Sequence, residues 1–322
     1  MKVAFGSSLL LLASLFPYAA TVHAEFPEKP LRLVVPFPPG GGTEPLARIW
    51  SQKIAEVFGY QVIVDNRPGA GTTIGAEIVA KSPPDGYTIL LGSIANAISA
   101  VLYTKLNYDL ARDLAPITLL ATTPSVLVVY PTLPVKSARE LVALAKARPG
   151  ELAYASSGSG TPNHLAAELF SYMTNIRMVH IPYKGGGPSV IALLSGEAPL
   201  SFASLPSAIQ HIRAAKLRAL GVTTAQRSPA LPGLPTIDES GVPGYEAETW
   251  YGVSAPARTS KEIIARLNAE TAKAFTTADM KERLDGMGYL VRVTTPDQYA
   301  AFTRSEIDKW AKVVKAAHMR AD

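Results

Sequence analysis

Residues 31–64 open with Leu31-Arg32-Leu33-Val34-Val35-Pro36-Phe37 and continue with Pro38-Pro39-Gly40-Gly41-Gly42-Thr43. Leu46, Ile49, Trp50, Ile54 and Val57 then recur at helical spacing up to Gly59, and Val62-Ile63-Val64 follows. The first stretch reads as a short apolar strand broken by proline and glycine, and the spaced run as a helix stopped by glycine. A helix between two strands is the crossover that parallel pairing requires. The rhythm continues. Asp65-Asn66-Arg67-Pro68-Gly69 closes the second strand, Ile74, Ile78 and Val79 mark another helix, and Ser82-Pro83-Pro84-Asp85-Gly86 turns into a strand at 87–91. This order predicts an α/β fold with a mostly parallel sheet flanked by helices.

The middle of the chain repeats the pattern. Strands are expected at 126–129, 152–155, 178–181, 200–203 and 217–222, and helices at 138–147, about 163–173, 189–194 and 207–214. A loop with Pro229, Pro232, Pro235 and Pro243 leads to a strand around Trp250. Beyond Pro256, helices are expected at about 260–276 and 296–317. The chain thus holds two α/β sets of roughly 100 residues each, a common domain size. It is expected to leave the first lobe near 124 and return near 244. One lobe would comprise residues 25–124 and 244–322, the other 125–243. Ligands of open α/β sheets bind beyond the carboxyl ends of the strands, so the site is expected in the cleft between the lobes.

Composition narrows the function classes. The 322 residues are 48% hydrophobic and 18% charged, enough apolar material for a sizeable core. Cysteine is absent, which excludes disulfides, thiolate nucleophiles, Cys-ligated zinc and iron–sulfur clusters. Lys and Arg number 31 against 26 Asp and Glu, a net charge of +5, and no block of five like charges occurs. That distribution points away from nucleic acid as a partner, although a mild positive excess can attract small anions. Lys2, the apolar run Leu9-Leu10-Leu11-Leu12-Ala13-Ser14-Leu15-Phe16 and the loosely fitting Val22-His23-Ala24 read as a secretory signal cleaved after Ala24. Pro17 interrupts the run well before the roughly 20 residues a membrane span needs. The mature protein is therefore expected to be soluble and extracytoplasmic, with a monomer as the default.

Two strand-to-helix loops carry the chemistry. The first, residues 37–44, holds three glycines and Thr43 as a candidate cap, so free N–H groups and a helix dipole could favour an anion. It is no dinucleotide fingerprint, because Pro45 stands where the third glycine would be, and no Walker loop follows. An ordinary turn is the plain alternative. The second is Ser156-Ser157-Gly158-Ser159-Gly160-Thr161-Pro162-Asn163-His164, where Thr161 and Pro162 fit the N-cap and first helical positions. Its hydroxyls and glycine N–H groups make a dense donor nest. A nucleophile elbow fails, since Ser157 replaces the first glycine of Gly-x-Ser-x-Gly around Ser159. Two further candidates follow strands: Gly92-Ser93-Ile94-Ala95-Asn96, and the stretch from His180 to Pro188. There Tyr183 could line a pocket and Lys184 could serve as counter-ion or merely be solvated. Beyond His23 the histidines are His164, His180, His211 and His318, with no metal-ligand spacing; His164 and Glu168 lie one helical turn apart. Neither a metal, a cofactor nor an assembled catalytic set is expected.

The chain resembles the Bug-type solute receptors of tripartite tricarboxylate transporters. The resemblance rests on Val34-Val35-Pro36-Phe37-Pro38-Pro39-Gly40-Gly41, Asp65-Asn66-Arg67-Pro68-Gly69-Ala70-Gly71, Pro84-Asp85-Gly86-Tyr87-Thr88 and His164-Leu165-Ala166-Ala167-Glu168-Leu169-Phe170. It extends through His180-Ile181-Pro182-Tyr183-Lys184-Gly185, Leu231-Pro232-Gly233-Leu234-Pro235-Thr236, Trp250-Tyr251-Gly252 and Trp310-Ala311-Lys312-Val313-Val314. The resemblance implies a two-lobed Venus-flytrap fold and a periplasmic receptor delivering to membrane permease subunits. It also implies small carboxylates held by backbone donors of opposing loops, without an arginine clamp. By position, the implied ligand-binding residues are Phe37, Gly40, Gly41, Thr43, Ser93, Asn96, Ser156, Gly158, Ser159, Gly160, Thr161, His164, Tyr183, Lys184 and Ser204.

Two departures from the family's pattern bear on the ligand. Glu44 and Ala203 stand where members usually or often carry Asp. The missing carboxylate at 203 suggests a ligand without an amine, a dicarboxylate or aromatic carboxylate. The rival expectations are a receptor that signals to a sensor kinase, an ester hydrolase using Ser159 or Ser156 with His164, and a scavenger with no transporter partner.

Overall fold

The computed structural model describes residues 26–316. The expected signal and its cleavage after Ala24 lie outside the described residues. The first half runs β1 (Leu31–Val35), α1 (Glu44–Phe58), β2 (Val62–Asn66), α2 (Thr73–Ala80), β3 (Thr88–Ser93), α3 (Ile94–Leu102), β4 (Leu114–Val129), α4 (Ala138–Ala147), β5 (Ala153–Ser156) and α5 (Pro162–Thr174). It continues with β6 (Val179–Pro182), α6 (Gly186–Ser195), β7 (Leu200–Ser204), α7 (Leu205–Arg213), β8 (Arg218–Val222) and β9 (Glu248–Pro256). The chain closes with α8 (Lys261–Phe275), α9 (Ala278–Gly286), β10 (Leu290–Val291) and α10 (Pro296–Ala316).

The strands follow the order β2-β1-β3-β9-β4-β7-β5-β6, with β8 and β10 also paired to β4. β1 lies parallel to β2 and β3, and β5 lies parallel to β6 and β7, as strand–helix–strand units dictate. The middle is antiparallel, because β4 and β9 run against their neighbours. Two lobes result, each parallel on its outside, joined through long central strands. β4 pairs with β9 from Leu114 to Pro124, then with β7 and β8 from Ser125 onward. Pro124 has no N–H to give a ladder, which fits its place where the strand changes partners.

The sequence expected a strand only at 126–129. The preceding residues of β4 are hidden by Pro116 and Pro124 and by the lack of alternation, since nearly all are buried on both sides. Helix α3 was read only as a loop, although Ser93 and Asn96 form a capping box: Ser93 Oγ accepts from Ala95 N–H and Asn96 Oδ1 from Ser93 N–H. Helix α9 was missed as well.

Each lobe has its own core. Around β1 and β3, Leu33, Ile89, Trp50, Phe275 and Tyr289 are fully buried, and Trp50 Nε1 donates to Thr271 Oγ1 at 3.1 Å. Around β5 and β7, Tyr154, Phe170, Phe202 and Tyr245 cluster, with Tyr245 Oη donating to Ala166 O at 2.7 Å. Separate cores let the lobes move as bodies while the shared strands bend.

Glu248 faces Pro124 at the crossing. Burial pushes its carboxyl up from the usual carboxylate range. A raised folded-state value means that the protonated form is favoured in the fold. That contribution is fully present below the unfolded value and is lost as pH rises through the folded one. Glu248→Gln is therefore expected to raise the thermal midpoint at pH 8 and to give a smaller gain toward pH 4, as read by calorimetry across that range. An equal shift at both pH values would contradict the assignment.

Candidate functional site

The loop after β1 is fixed from behind. Asn66 Nδ2 donates to Phe37 O at 2.8 Å, Arg67 N–H donates to Val35 O at 2.8 Å, and Tyr289 Oη donates to Gly42 O. Gly40 sits at φ +85°, a conformation that suits glycine. Thr43 occupies the N-cap of α1, as expected, but its hydroxyl makes no capping bond.

The loop after β5 is braced internally. Ser157 Oγ donates to Asn163 Oδ1 at 2.6 Å, and Asn163 Nδ2 donates to Phe202 O in the middle of β7. Thr161 is the N-cap of α5 with Pro162 behind it, yet its hydroxyl donates to Gly158 O at 2.7 Å instead of capping. Gly160 N–H donates to His164 Nδ1 at 3.1 Å, so that nitrogen carries no proton in this arrangement. The His164 ring stacks on His180 with centroids 4.0 Å apart, and Tyr154 stacks on His180.

The two loops meet through bare backbone. A Cβ on Gly186 would stand 3.2 Å from Gly41 Cα, one on Gly187 3.3 Å from Gly40 O, and one on Gly185 2.3 Å from Pro38 Cγ. Beside this contact lies a cleft with a cavity volume of about 40 Å³. Phe37, Pro38, Gly41, Gly42 and Thr43 line it from one lobe, joined by Ser93, Thr249 and Tyr251. Ser157, Pro162, Asn163, Gly186 and Ser204 line it from the other. None of these residues is charged.

Five helices begin at this cleft. Thr43 is the N-cap of α1, Ser93 of α3 and Ser204 of α7; Pro162 opens α5 and Gly186 opens α6. A helix N-terminus carries roughly half a positive charge together with N–H donors that lack partners within the helix. Ser93 already caps α3 and Glu44 sits in the first turn of α1, so α5, α6 and α7 present the least offset termini. Burial pushes the Tyr251 hydroxyl up to about 12, so it remains a neutral donor at ordinary pH.

Of the residues singled out in the sequence, Phe37, Gly41, Thr43, Ser93 and Ser204 line the cleft. Gly40, Gly158, Ser159, Gly160 and Thr161 lie in the loops behind the lining, and Asn96 caps α3. Ser156 is fully buried, with its Oγ 2.6 Å from His180 Nε2. The Ser156–His164 pairing of the hydrolase rival is therefore replaced by a Ser156–His180 pair that does not line the cleft. His164 faces Glu168, with Nε2 to Oε1 at 4.0 Å. Tyr183 Oη donates to Glu197 Oε1 at 2.8 Å and Lys184 is exposed; neither is among the residues lining this cavity. Ala203 is buried in an apolar cluster with Val126, Val190 and Leu205 and does not line the cleft, so its lack of a carboxylate says nothing about a ligand amine. Gly42, Ser157, Asn163 and Gly186 lie within the loops expected to carry the site, although not singled out there, whereas Thr249 and Tyr251 lie outside every expected loop. Gly42 and Gly186 belong to glycine runs visible in the sequence, whereas Thr249 and Tyr251 come from a distant strand that only the fold brings here.

The architecture is that of a two-lobed periplasmic binding protein, with its cleft at strand ends and helix starts. Residues 46–319 match the model of TctC, the tripartite tricarboxylate transporter family receptor. The chain is 39% identical over 300 residues to protein BugT of Bordetella pertussis, covering 92% of each. Among solved structures it is similar to R. palustris Rpa4515 with adipate, at 37% identity and a TM-score of 0.89 over 92% of this chain and 99% of that one. It is also similar to MatC from Rhodopseudomonas palustris with bound malate, at 30% identity and a TM-score of 0.84 over 90% of this chain and 100% of that one. The chain belongs to the family of Bug-type receptors of tripartite tricarboxylate transporters, and its role is solute binding.

The glycine contact between the lobes yields a direct test. Gly186→Val adds carbons toward the Gly41 backbone of the opposite lobe, which has no side chain to swing aside. The variant is expected to keep its thermal midpoint without ligand and to bind ligand at least tenfold more weakly, by calorimetric titration. Unchanged affinity would show that this contact is not needed for closure.

Proposed function

We propose that the protein captures a small carboxylate, a dicarboxylate or aromatic carboxylate, in its interlobe cleft and releases it unchanged to the permease of a tripartite tricarboxylate transporter. In this reading it acts outside the cytoplasm and performs no chemistry. The lobes would comprise residues 25–124 with 244–322, and residues 125–243. Movement would center on the strand crossings near 124 and 244.

The observation that carries the reading is the convergence of five helix N-termini on an uncharged cleft. Helix starts at one cleft offer N–H donors and dipoles of the sign that stabilises an anion. A lone ammonium would meet the same dipoles with the wrong sign and no carboxylate to balance it. The relatives crystallised with adipate and malate hold ligands of this class. Closure requires only that the ligand bind the closed form better than the open one by a few kcal/mol. The buried Ser156–His180 pair, away from the cleft lining, argues against the form of the hydrolase alternative that uses Ser156 with His164.

A thermal-shift panel of adipate, succinate, malate, benzoate and aspartate tests this, followed by titration of the strongest and mass analysis of what is recovered. A bound acid at 100-fold its Kd is expected to add about 2.7 kcal/mol of stability and to return intact. Preference for aspartate over every amine-free acid, or conversion of the bound compound, would overturn the reading.

A further inference from the structure

Thr249 and Tyr251 reach the cleft from β9, at a point where that strand is thinly held. β3 pairs with β9 only from Leu90 opposite Ser254 to Ser93 opposite Tyr251. Glu248, Thr249 and Trp250 are therefore laddered by β4 alone. The β4 side is itself irregular between Leu119 and Ala121, beside Tyr251, and a bulge disrupts its ladder locally. Thr249 also lies one residue from Glu248, which faces Pro124 at the strand crossing. The part of β9 that serves the site is thus the part its own sheet supports least.

Support comes from behind. Side chains alternate along a strand, so Trp250 and Gly252 face away from Thr249 and Tyr251. They face α10, where Tyr299, Phe302, Thr303, Glu306 and Trp310 recur at three- and four-residue spacing on one side of the helix. Gly252 admits the helix: a Cβ there would stand 2.3 Å from the Tyr299 ring. The Trp250 ring packs edge-on against Tyr299 and Phe302, with centroids 6.0 and 5.5 Å apart. Its Nε1 donates to Glu306 Oε2 at 2.9 Å, and the same oxygen accepts from Trp310 Nε1 at 3.3 Å.

Glu306 is only 8% exposed, and Lys309 Nζ lies 3.7 Å from its other oxygen. A carboxylate in such a place is unfavourable unless hydrogen bonds and a counter-charge offset its lost water, and apolar replacements of buried ionic groups often keep or raise stability. What the carboxylate adds is direction. Ring packing alone leaves an indole free to slide along the helix face, whereas a charge-assisted hydrogen bond pins it at one point. Pinning Trp250 also fixes the backbone on either side of it, which carries Thr249 and Tyr251.

We infer that Glu306 is a positioning residue for the binding site: through Trp250 it holds the start of β9 so that Thr249 and Tyr251 stand correctly at the cleft. It touches no ligand. The inference rests on the carboxylate reading above and extends the site to a helix that supplies none of its lining.

Four variants separate positioning from stability alone. Glu306→Ala removes the acceptor, and Glu306→Gln keeps an oxygen able to accept both indole N–H groups. Trp310→Phe removes one indole but leaves the bond between Glu306 and Trp250. Trp250→Phe breaks that bond from the other side, and it stands in for Glu306→Ala should the latter not fold. Glu306→Ala and Trp310→Phe are both expected to lower the thermal midpoint. In calorimetric titration with adipate, Glu306→Ala and Trp250→Phe should each bind about tenfold more weakly than the wild type. Glu306→Gln should stay within about twofold of it, and Trp310→Phe should match it. Hydrogen exchange without ligand gives a second measure: peptides covering 248–252 should exchange about tenfold faster in Glu306→Ala than in Trp310→Phe. If adipate binds the wild type but Glu306→Ala and Trp310→Phe weaken it alike, or neither does, the assignment of Glu306 falls while the carboxylate reading stands. If no acid of the panel binds the wild type, the carboxylate reading falls and exchange decides: equal rates over 248–252 in the two variants would overturn the role of Glu306 as well.

Discussion

An anion cannot rest in a protein cleft unless something replaces the water it leaves, and this cleft offers no cationic side chain for that purpose. The remaining source is the backbone. Helices α1, α3, α5, α6 and α7 start at one place, and their first N–H groups have no partner within the helix. The parallel outer strands place them there, since each strand delivers the chain to the cleft edge and the next helix departs from it. The fold thus produces the electrostatics before any side chain is chosen. Such a site has fixed donors, which lose little freedom when a ligand binds.

The same constraint accounts for the glycines. Donors on two lobes act together only if the lobes approach closely, and side chains between them would prevent it. The rows around Gly41 and Gly186 let backbone meet backbone. Side chains outside this contact brace the loops: Asn66 holds the Phe37 carbonyl, Tyr289 the Gly42 carbonyl, and Asn163 ties Ser157 to the Phe202 carbonyl of β7. Residues that never touch a ligand in this account still decide its geometry.

Much of the fold was legible because helical spacing and glycine or proline breaks are local signals. Helix α4 matches its expected bounds, and the strands of both lobes lie within a few residues of expectation. What failed was non-local. The buried strand β4 does not alternate and contains prolines, so its first three-quarters gave no strand signal. The site was half legible for the same reason. Phe37, Gly41 and Thr43 follow a strand directly and could be seen, but Tyr251 and Thr249 arrive from a strand two hundred residues later in the chain. Lys184 and Tyr183, attractive as chemical types, turn out to face solvent and Glu197. Position 203 misled through its neighbour: strand alternation sends Ala203 to the apolar side, whereas Ser204 at the strand's end reaches the cleft.

The most direct test is a crystal structure of the protein with adipate. The account predicts carboxylate oxygens about 2.7–3.2 Å from backbone N–H groups at the starts of α1 and α6, on both sides of the cleft, with no lysine or arginine in contact. A carboxylate held by a cationic side chain such as Lys184, or seated away from these helix starts, would contradict it.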